Sequence, residues 1–202
     1  SNNTREALEL TRYAMQAGAD GALLITPYYN KPMPAGLRDH YRAIAQAVDL
    51  PLIVYNVPSR TGISILPETV ARLAQEEKNI VAIKEACGNM DQVSQLISLC
   101  PKDFTVLSGD DSMTLPILAV GGRGVVSVAA NVVPARMKEL VASALSGNWE
   151  KAREIHLDLF DLFKVLFIET NPIPVKAALG LMGRLSPEWR LPLAPPKPES
   201  LE

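Results

Sequence analysis

Five short apolar runs, each closing on polar or special residues and each set off from the next by a stretch of helical periodicity, constrain what this chain can fold into. The runs lie at residues 21–26, 52–57, 81–86, 104–108 and 124–128. Apolar residues at helical spacing fill 4–16, 37–48, a stretch opening at Pro67-Glu68, 91–99 and 113–120. Strands that are almost wholly apolar and alternate with helices form a parallel sheet covered by those helices. The runs end in Thr26-Pro27-Tyr28-Tyr29, Tyr55-Asn56, Lys84-Glu85, Ser108-Gly109-Asp110 and Ser127. Polar groups gathered at the C-terminal ends of parallel strands are how a (β/α) barrel builds its active site. A doubly wound sheet is the alternative, but no glycine-rich phosphate fingerprint follows any run. A closed barrel has eight strands and typically about 250 residues. The expectation is therefore an α/β fold, a (β/α)8 TIM barrel lacking its first three strands, over residues 1–131. A helical segment follows over 132–202, with helices at 135–146, 149–167 and 175–182 and an extended proline-rich stretch from Leu191.

The third run, Val81-Ala-Ile-Lys-Glu-Ala86, holds a lysine inside what otherwise reads as a buried strand. Alternation sets Ala82, Lys84 and Ala86 on one face and Val81, Ile83 and Glu85 on the other. Two small neighbours leave space around the Lys84 amine. Desolvation lowers the pKa of a buried ammonium and leaves some neutral, nucleophilic amine, as a Schiff-base lysine requires. The plainer reading is a strand-end lysine reaching water or a carboxylate.

Tyr55-Asn-Val-Pro-Ser-Arg-Thr-Gly62 closes the preceding run. If the face bearing Ile53 and Tyr55 points inward, the Tyr55 hydroxyl lies next to the Lys84 amine, where it can move protons during imine formation. Arg60, in the loop that follows, can grip a substrate carboxylate over the mouth of the barrel. Taken singly, each has a plainer role, Tyr55 in the core and Arg60 on the surface. The balanced charge, 20 basic against 22 acidic side chains, and their dispersal argue against nucleic acid as a partner. The apolar runs fall far short of a membrane span, and residues 1–10 read as a polar helix start rather than a signal peptide. Cys87 and Cys100 lack metal-like or redox-like spacing and read as reduced thiols of a cytoplasmic protein. Asn2-Asn3-Thr4 matches a glycosylation sequon but is read as helix capping.

Six segments fall in one order along the chain: Thr26-Pro-Tyr-Tyr-Asn30, Tyr55-Asn-Val-Pro-Ser-Arg-Thr-Gly62, Ile83-Lys-Glu-Ala86, Ser108-Gly-Asp-Asp111, Gly124-Val-Val-Ser-Val128 and Asn171-Pro-Ile-Pro-Val-Lys176. Together they closely resemble the pyruvate-dependent class I aldolase family of dihydrodipicolinate synthase and N-acetylneuraminate lyase. The arginine of the second segment is similar to that of the synthase branch. The resemblance implies condensation of pyruvate, held as an imine and enamine, with L-aspartate 4-semialdehyde to 4-hydroxy-tetrahydrodipicolinate in lysine and diaminopimelate biosynthesis. It implies Lys84 as the imine-forming residue, Tyr55 and Tyr29 as a proton relay with Tyr29 contributed across a dimer interface, and Arg60 on the carboxylate of the aldehyde. Val126 and Gly109 line the pyruvate site by the same resemblance, and Asn2, Glu6 and Tyr28 match positions that bind the feedback inhibitor lysine. It further implies a cytoplasmic homo-oligomer, a dimer of dimers, with no metal and no cofactor.

The family's Gly-Thr-Thr-Gly-Glu segment, whose threonines hold the pyruvate carboxylate, occurs nowhere in these residues. It is expected in the missing N-terminal part. Two other readings stand beside the synthase. One is a related pyruvate aldolase acting on a sugar acid, which Arg60 argues against. The other is a segment that is catalytically incompetent alone, its open sheet edges a liability.

Overall fold

The computed structural model describes residues 1–201. Its order is α1 (Thr4–Gln16), β1 (Ala22–Ile25), α2 (Pro34–Ala45), β2 (Leu52–Asn56), α3 (Pro58–Thr61), α4 (Pro67–Glu76), β3 (Ile80–Glu85), α5 (Met90–Leu99), β4 (Thr105–Ser108), α6 (Thr114–Ala119) and β5 (Gly124–Val125). Helices α7 (Pro134–Leu145), α8 (Trp149–Asp158), α9 (Phe160–Val165) and α10 (Ile173–Leu181) follow. The strands form one parallel sheet in the order β1-β2-β3-β4-β5.

The pleat divides this sheet sharply. Leu52, Val54, Ile83 and Val106 are buried under α1, α2, α4, α5 and α6, together with Leu37, Tyr41, Ile44, Val70, Leu73, Val93, Leu96 and Ile117. Ile53, Tyr55, Lys84 and Leu107 point the other way and are only half-buried, and Leu23 on β1 is exposed. A second core forms after β5, where Met137, Leu140, Ala144, Ala152, Ile155, Phe163 and Val175 pack together. Helix α6 joins the two, with Ile117 in the first and Leu118 in the second.

Several elements differ from the sequence expectation. Alternation in β3 holds only from Ala82 onward. The register steps from Leu52 opposite Ile80 to Ile53 opposite Ala82, so Val81 is an extra residue that bulges outward and is exposed. The helix expected at 37–48 begins earlier because Pro34 opens it at a position that needs no amide donor, and it ends at Ala45. Residues 58–61 form a single helical turn, opened by Pro58 and closed by Gly62 at φ 74°, so Arg60 sits on helix rather than loop. The last strand is two residues long, because the amides of Val128 and Ala129 turn to the Asp111 carboxylate (3.0 and 2.8 Å). The helix expected over 149–167 breaks at Leu159, which lies between α8 and α9 with both Ile155 and Phe163 in the second core. Asn3 caps α1, its Oδ1 accepting from the Glu6 amide (3.1 Å), while Asn2 Nδ2 donates to the Tyr28 carbonyl (3.1 Å) rather than serving the helix end.

His40 on α2 is buried against α1, its Nδ1 2.9 Å from the Thr4 hydroxyl. Burial lowers its pKa from 6.5 to about 4. The unfolded chain then takes up this proton before the folded one does. Stability from a neutral His40 should be fully present above pH 6.5 and drain away as pH falls from there towards about 4. His156, also pushed down by burial, acts in the same direction. Urea midpoints measured across this window should fall with pH, and His40→Gln should flatten the slope; an unchanged slope would assign it to other groups.

Candidate active site

At the C-terminal ends of β2 and β3, neighbouring residues take opposite faces. Asn56 and Glu85 turn toward the helices and are fully buried, while Tyr55 and Lys84, paired in register, turn to the open face. The Glu85 carboxylate accepts from Asn56 Nδ2 (2.9 and 3.0 Å), the Cys87 amide (2.8 Å) and Gln92 Nε2 (3.0 Å). Asn56 Oδ1 in turn accepts from the Ile65 amide (3.2 Å). This network locks the strand ends and fixes the direction of the two residues that face the site.

The Lys84 amine lies over the Tyr55 ring, Nζ 4.1 Å from its centroid. The side chains of a registered pair run parallel, so the ammonium meets the electron-rich ring face. That corrects the expectation of an amine beside the hydroxyl. Burial lowers the Lys84 pKa, the Arg60 charge lowers it further, and the Asp111 charge opposes both. Burial raises the Tyr55 pKa, against a lowering pull from Arg60. Both shifts run toward a neutral amine and a protonated phenol, the direction that imine formation uses.

Gly109 follows β4 and closes the floor. A Cβ there would lie 2.7 Å from Ala86 Cβ, 3.1 Å from the Glu85 carbonyl and 3.2 Å from Lys84 Cε. Its amide donates to the Glu85 carbonyl (2.7 Å). Val126 is bound to the same strand end, its amide donating to the Ser108 carbonyl (2.9 Å). Arg60 is exposed, with Nη2 donating to the Asn171 carbonyl (3.1 Å), which ties α3 to the segment before α10.

The remaining candidates lie apart. Tyr29 adopts φ 71°, a left-handed conformation that strains a residue of this size. Its amide donates to the Thr61 carbonyl (3.3 Å) while its side chain is 88% exposed, facing away from the chain's own core. Asn2 and Tyr28 are joined by a bond from Asn2 Nδ2 to the Tyr28 carbonyl (3.1 Å), and the Glu6 carboxylate accepts from the Ser1 hydroxyl. Lys176 on α10 donates to the Glu188 carbonyl and is turned to that contact. Sequence reasoning quoted Asp111 and Asn171 within motifs but gave them no part; their backbone contacts join segments far apart in sequence, which no local pattern discloses.

The profile of the dihydrodipicolinate synthetase family matches residues 1–202. The chain belongs to this family. A 4-hydroxy-tetrahydrodipicolinate synthase of Nitratidesulfovibrio vulgaris is 58% identical over 198 residues, covering 98% of this chain and 68% of that protein. The crystal structure of dihydrodipicolinate synthase from Aquifex aeolicus superposes with a TM-score of 0.97 at 54% identity, over 99% of this chain and 68% of that one. The Thermotoga maritima dihydrodipicolinate synthase superposes at 0.98 with 51% identity, over 99% of this chain and 69% of its own. The chain thus spans about two thirds of the length of these family members.

Gly109→Ala tests the packing around the lysine. The added methyl must displace Ala86 or the Glu85 backbone, at a cost of about 1–3 kcal/mol. Thermal melts should show that loss, and reaction of Lys84 with a carbonyl reagent should slow. Gly18→Ala, at φ 84° with nothing within 4 Å of the new methyl, should cost stability without slowing the reaction.

Proposed function

We infer that this chain carries the Schiff-base centre of a 4-hydroxy-tetrahydrodipicolinate synthase, which joins pyruvate to L-aspartate 4-semialdehyde in lysine and diaminopimelate biosynthesis. The observation that carries the reading is the Lys84 amine on the open face of the sheet, stacked over Tyr55, with its pKa lowered by burial. Neutral Lys84 attacks the keto carbon of pyruvate, and loss of water gives the imine. Withdrawal of a methyl proton gives the enamine, whose carbon adds to the aldehyde. The amino group of the newly joined substrate then displaces Lys84 and closes the ring. Tyr55 is the group beside the amine that can give and take protons through these steps. Arg60, at the rim, is suited to the carboxylate of the aldehyde substrate, and Gly109 and the Val126 backbone to the pyruvate wall. An aldolase acting on a sugar acid has no evident use for that guanidinium.

The sheet is best understood as strands four to eight of an eight-stranded barrel in residues 1–131, with 132–202 a helical addition. In support, β1 and β5 each pair on one side only, and an apolar groove lined by Ala7, Leu10, Ala14, Leu23 and Ile25 runs along the β1 edge. Tyr29 belongs in this scheme to a neighbouring subunit's relay, which its exposure and strained backbone favour. Asn2, Glu6 and Tyr28 form the corresponding candidate for a lysine-binding surface. Both cysteines are free thiols, in keeping with a cytoplasmic setting, and no helix among the described residues is long and apolar enough to cross a membrane.

In the full-length enzyme, borohydride with pyruvate should add one reduced pyruvyl group at Lys84, and Lys84→Ala should abolish it. Mass mapping to Lys31, Lys164 or Lys176 would overturn the assignment. Tyr55→Phe should leave the fold intact and lower turnover by about 10²–10⁴.

Arg60→Ala should raise KM for the aldehyde by about ten- to a hundredfold, the worth of a charge-assisted contact, with little change for pyruvate. Steady-state kinetics with each substrate varied in turn checks this. Equal effects on both would make Arg60 an organiser of the site rather than a selector of substrate.

A further inference from the structure

Arg60 is exposed, and its guanidinium is directed by the bond from Nη2 to the Asn171 carbonyl (3.1 Å). That carbonyl belongs to residues 166–172, the link between α9 and α10. Asn171 does not anchor the link through its side-chain oxygen, since Oδ1 is buried with no partner among the described residues. On one side the link lines the open mouth, where Phe167, Thr170 and Asn171 stand beside Ser59 and Arg60. On the other it walls an apolar pocket of about 240 Å³, between Leu166, Ala178 and Leu181 and the C-terminal residues Pro196 and Leu201. Ile168 and Glu169 line both, so this stretch of chain is not backed by packed core. It is held instead by the Glu169 carboxylate, whose Oε1 accepts from the Lys197 amide (2.9 Å). The Ser200 side chain and the Lys197 amide keep the Glu169 carboxyl below the usual carboxylate range. Pro196 and Pro198 flank Lys197 and stiffen the segment that carries the donor.

We propose that Glu169 is a positioning residue for substrate selection: by bonding the Lys197 amide of the C-terminal segment, it sets the link that carries the Asn171 carbonyl and so aims the Arg60 guanidinium. The proposal rests on the reading of Arg60 as the group that meets the carboxylate of the aldehyde. Glu169 lies two residues from Asn171, and the turn into α10 is closed by the Ile173 amide, which donates to the Thr170 carbonyl (2.9 Å). A shift at Glu169 therefore has little chain in which to dissipate before it reaches the carbonyl that holds Arg60. A guanidinium already aimed can meet a carboxylate through two parallel bonds, whereas a mobile one must first be ordered as substrate binds. Lys84, Tyr55 and Gly109 are fixed by the strand ends and the Glu85 network, so the effect falls on the aldehyde and spares pyruvate.

The experiment measures KM for each substrate in the full-length enzyme, for the wild type, Glu169→Ala, Glu169→Gln and Lys197→Pro. Alanine removes the acceptor, so KM for the aldehyde should rise about three- to tenfold, the worth of one hydrogen bond. KM for pyruvate and the rate of borohydride trapping at Lys84 should not change. Glutamine keeps an acceptor oxygen and should recover most of the loss. Lys197→Pro breaks the same bond from the donor side, at a φ of −64° that proline adopts, and should match alanine. It also keeps the test decisive should Glu169→Ala fail to fold by circular dichroism. In an Arg60→Ala background, Glu169→Ala should add nothing to KM for the aldehyde, because no guanidinium is left to aim. An unchanged KM in Glu169→Ala, an equal rise for both substrates, or a further rise in the Arg60→Ala background would overturn the proposal. An Arg60→Ala enzyme with an unchanged KM for the aldehyde would instead overturn the reading of Arg60.

Discussion

The buried carboxylate of Glu85 is the constraint on which the site depends. It sits where β2, β3, α5 and the turn before α4 converge, and its acceptors are filled by Asn56, the Cys87 amide and Gln92. A buried charge is tolerable only when its hydrogen bonds are this complete. Because side chains alternate along a strand, fixing Asn56 and Glu85 toward the helices fixes Tyr55 and Lys84 toward the open face. The network acts on the chemistry through this geometric coupling, without touching the reacting groups.

The lysine itself is balanced between opposing influences. Burial and Arg60 favour the neutral amine; the face of the Tyr55 ring and the Asp111 charge favour the ammonium. A nucleophile for imine chemistry needs this intermediate state. Fully solvated it would stay protonated, and fully buried without a counter-charge it would burden the fold. Gly109 belongs to the same setting, since only a residue without a side chain lets the turn after β4 approach Ala86, Glu85 and Lys84 this closely.

Much of this was legible in the residues. The apolar runs disclosed the parallel strands, and the position of Lys84 disclosed its half-buried setting, because both follow from local pattern and the period of a strand. The bulge at Val81, the shortness of β5 and the break at Leu159 were not legible. Each is set by a partner distant in sequence: the register against β2, the Asp111 carboxylate and the second core. The short helix bearing Arg60 was missed although Pro58 and Gly62 bracket it, since a single turn has no periodicity to detect.

The sequence by itself determined the strand and helix order, the face on which Lys84 stands and the family motifs that name its chemistry, because these depend on residues near one another in the chain. Only the tertiary structure decided that the amine lies over the Tyr55 ring rather than at its hydroxyl, that Arg60 reaches Asn171, and that Asp111 is turned to Val128 and Ala129. Those choices depend on how far apart strands sit and which backbone amides are left unpaired, and both quantities exist only once the sheet has assembled.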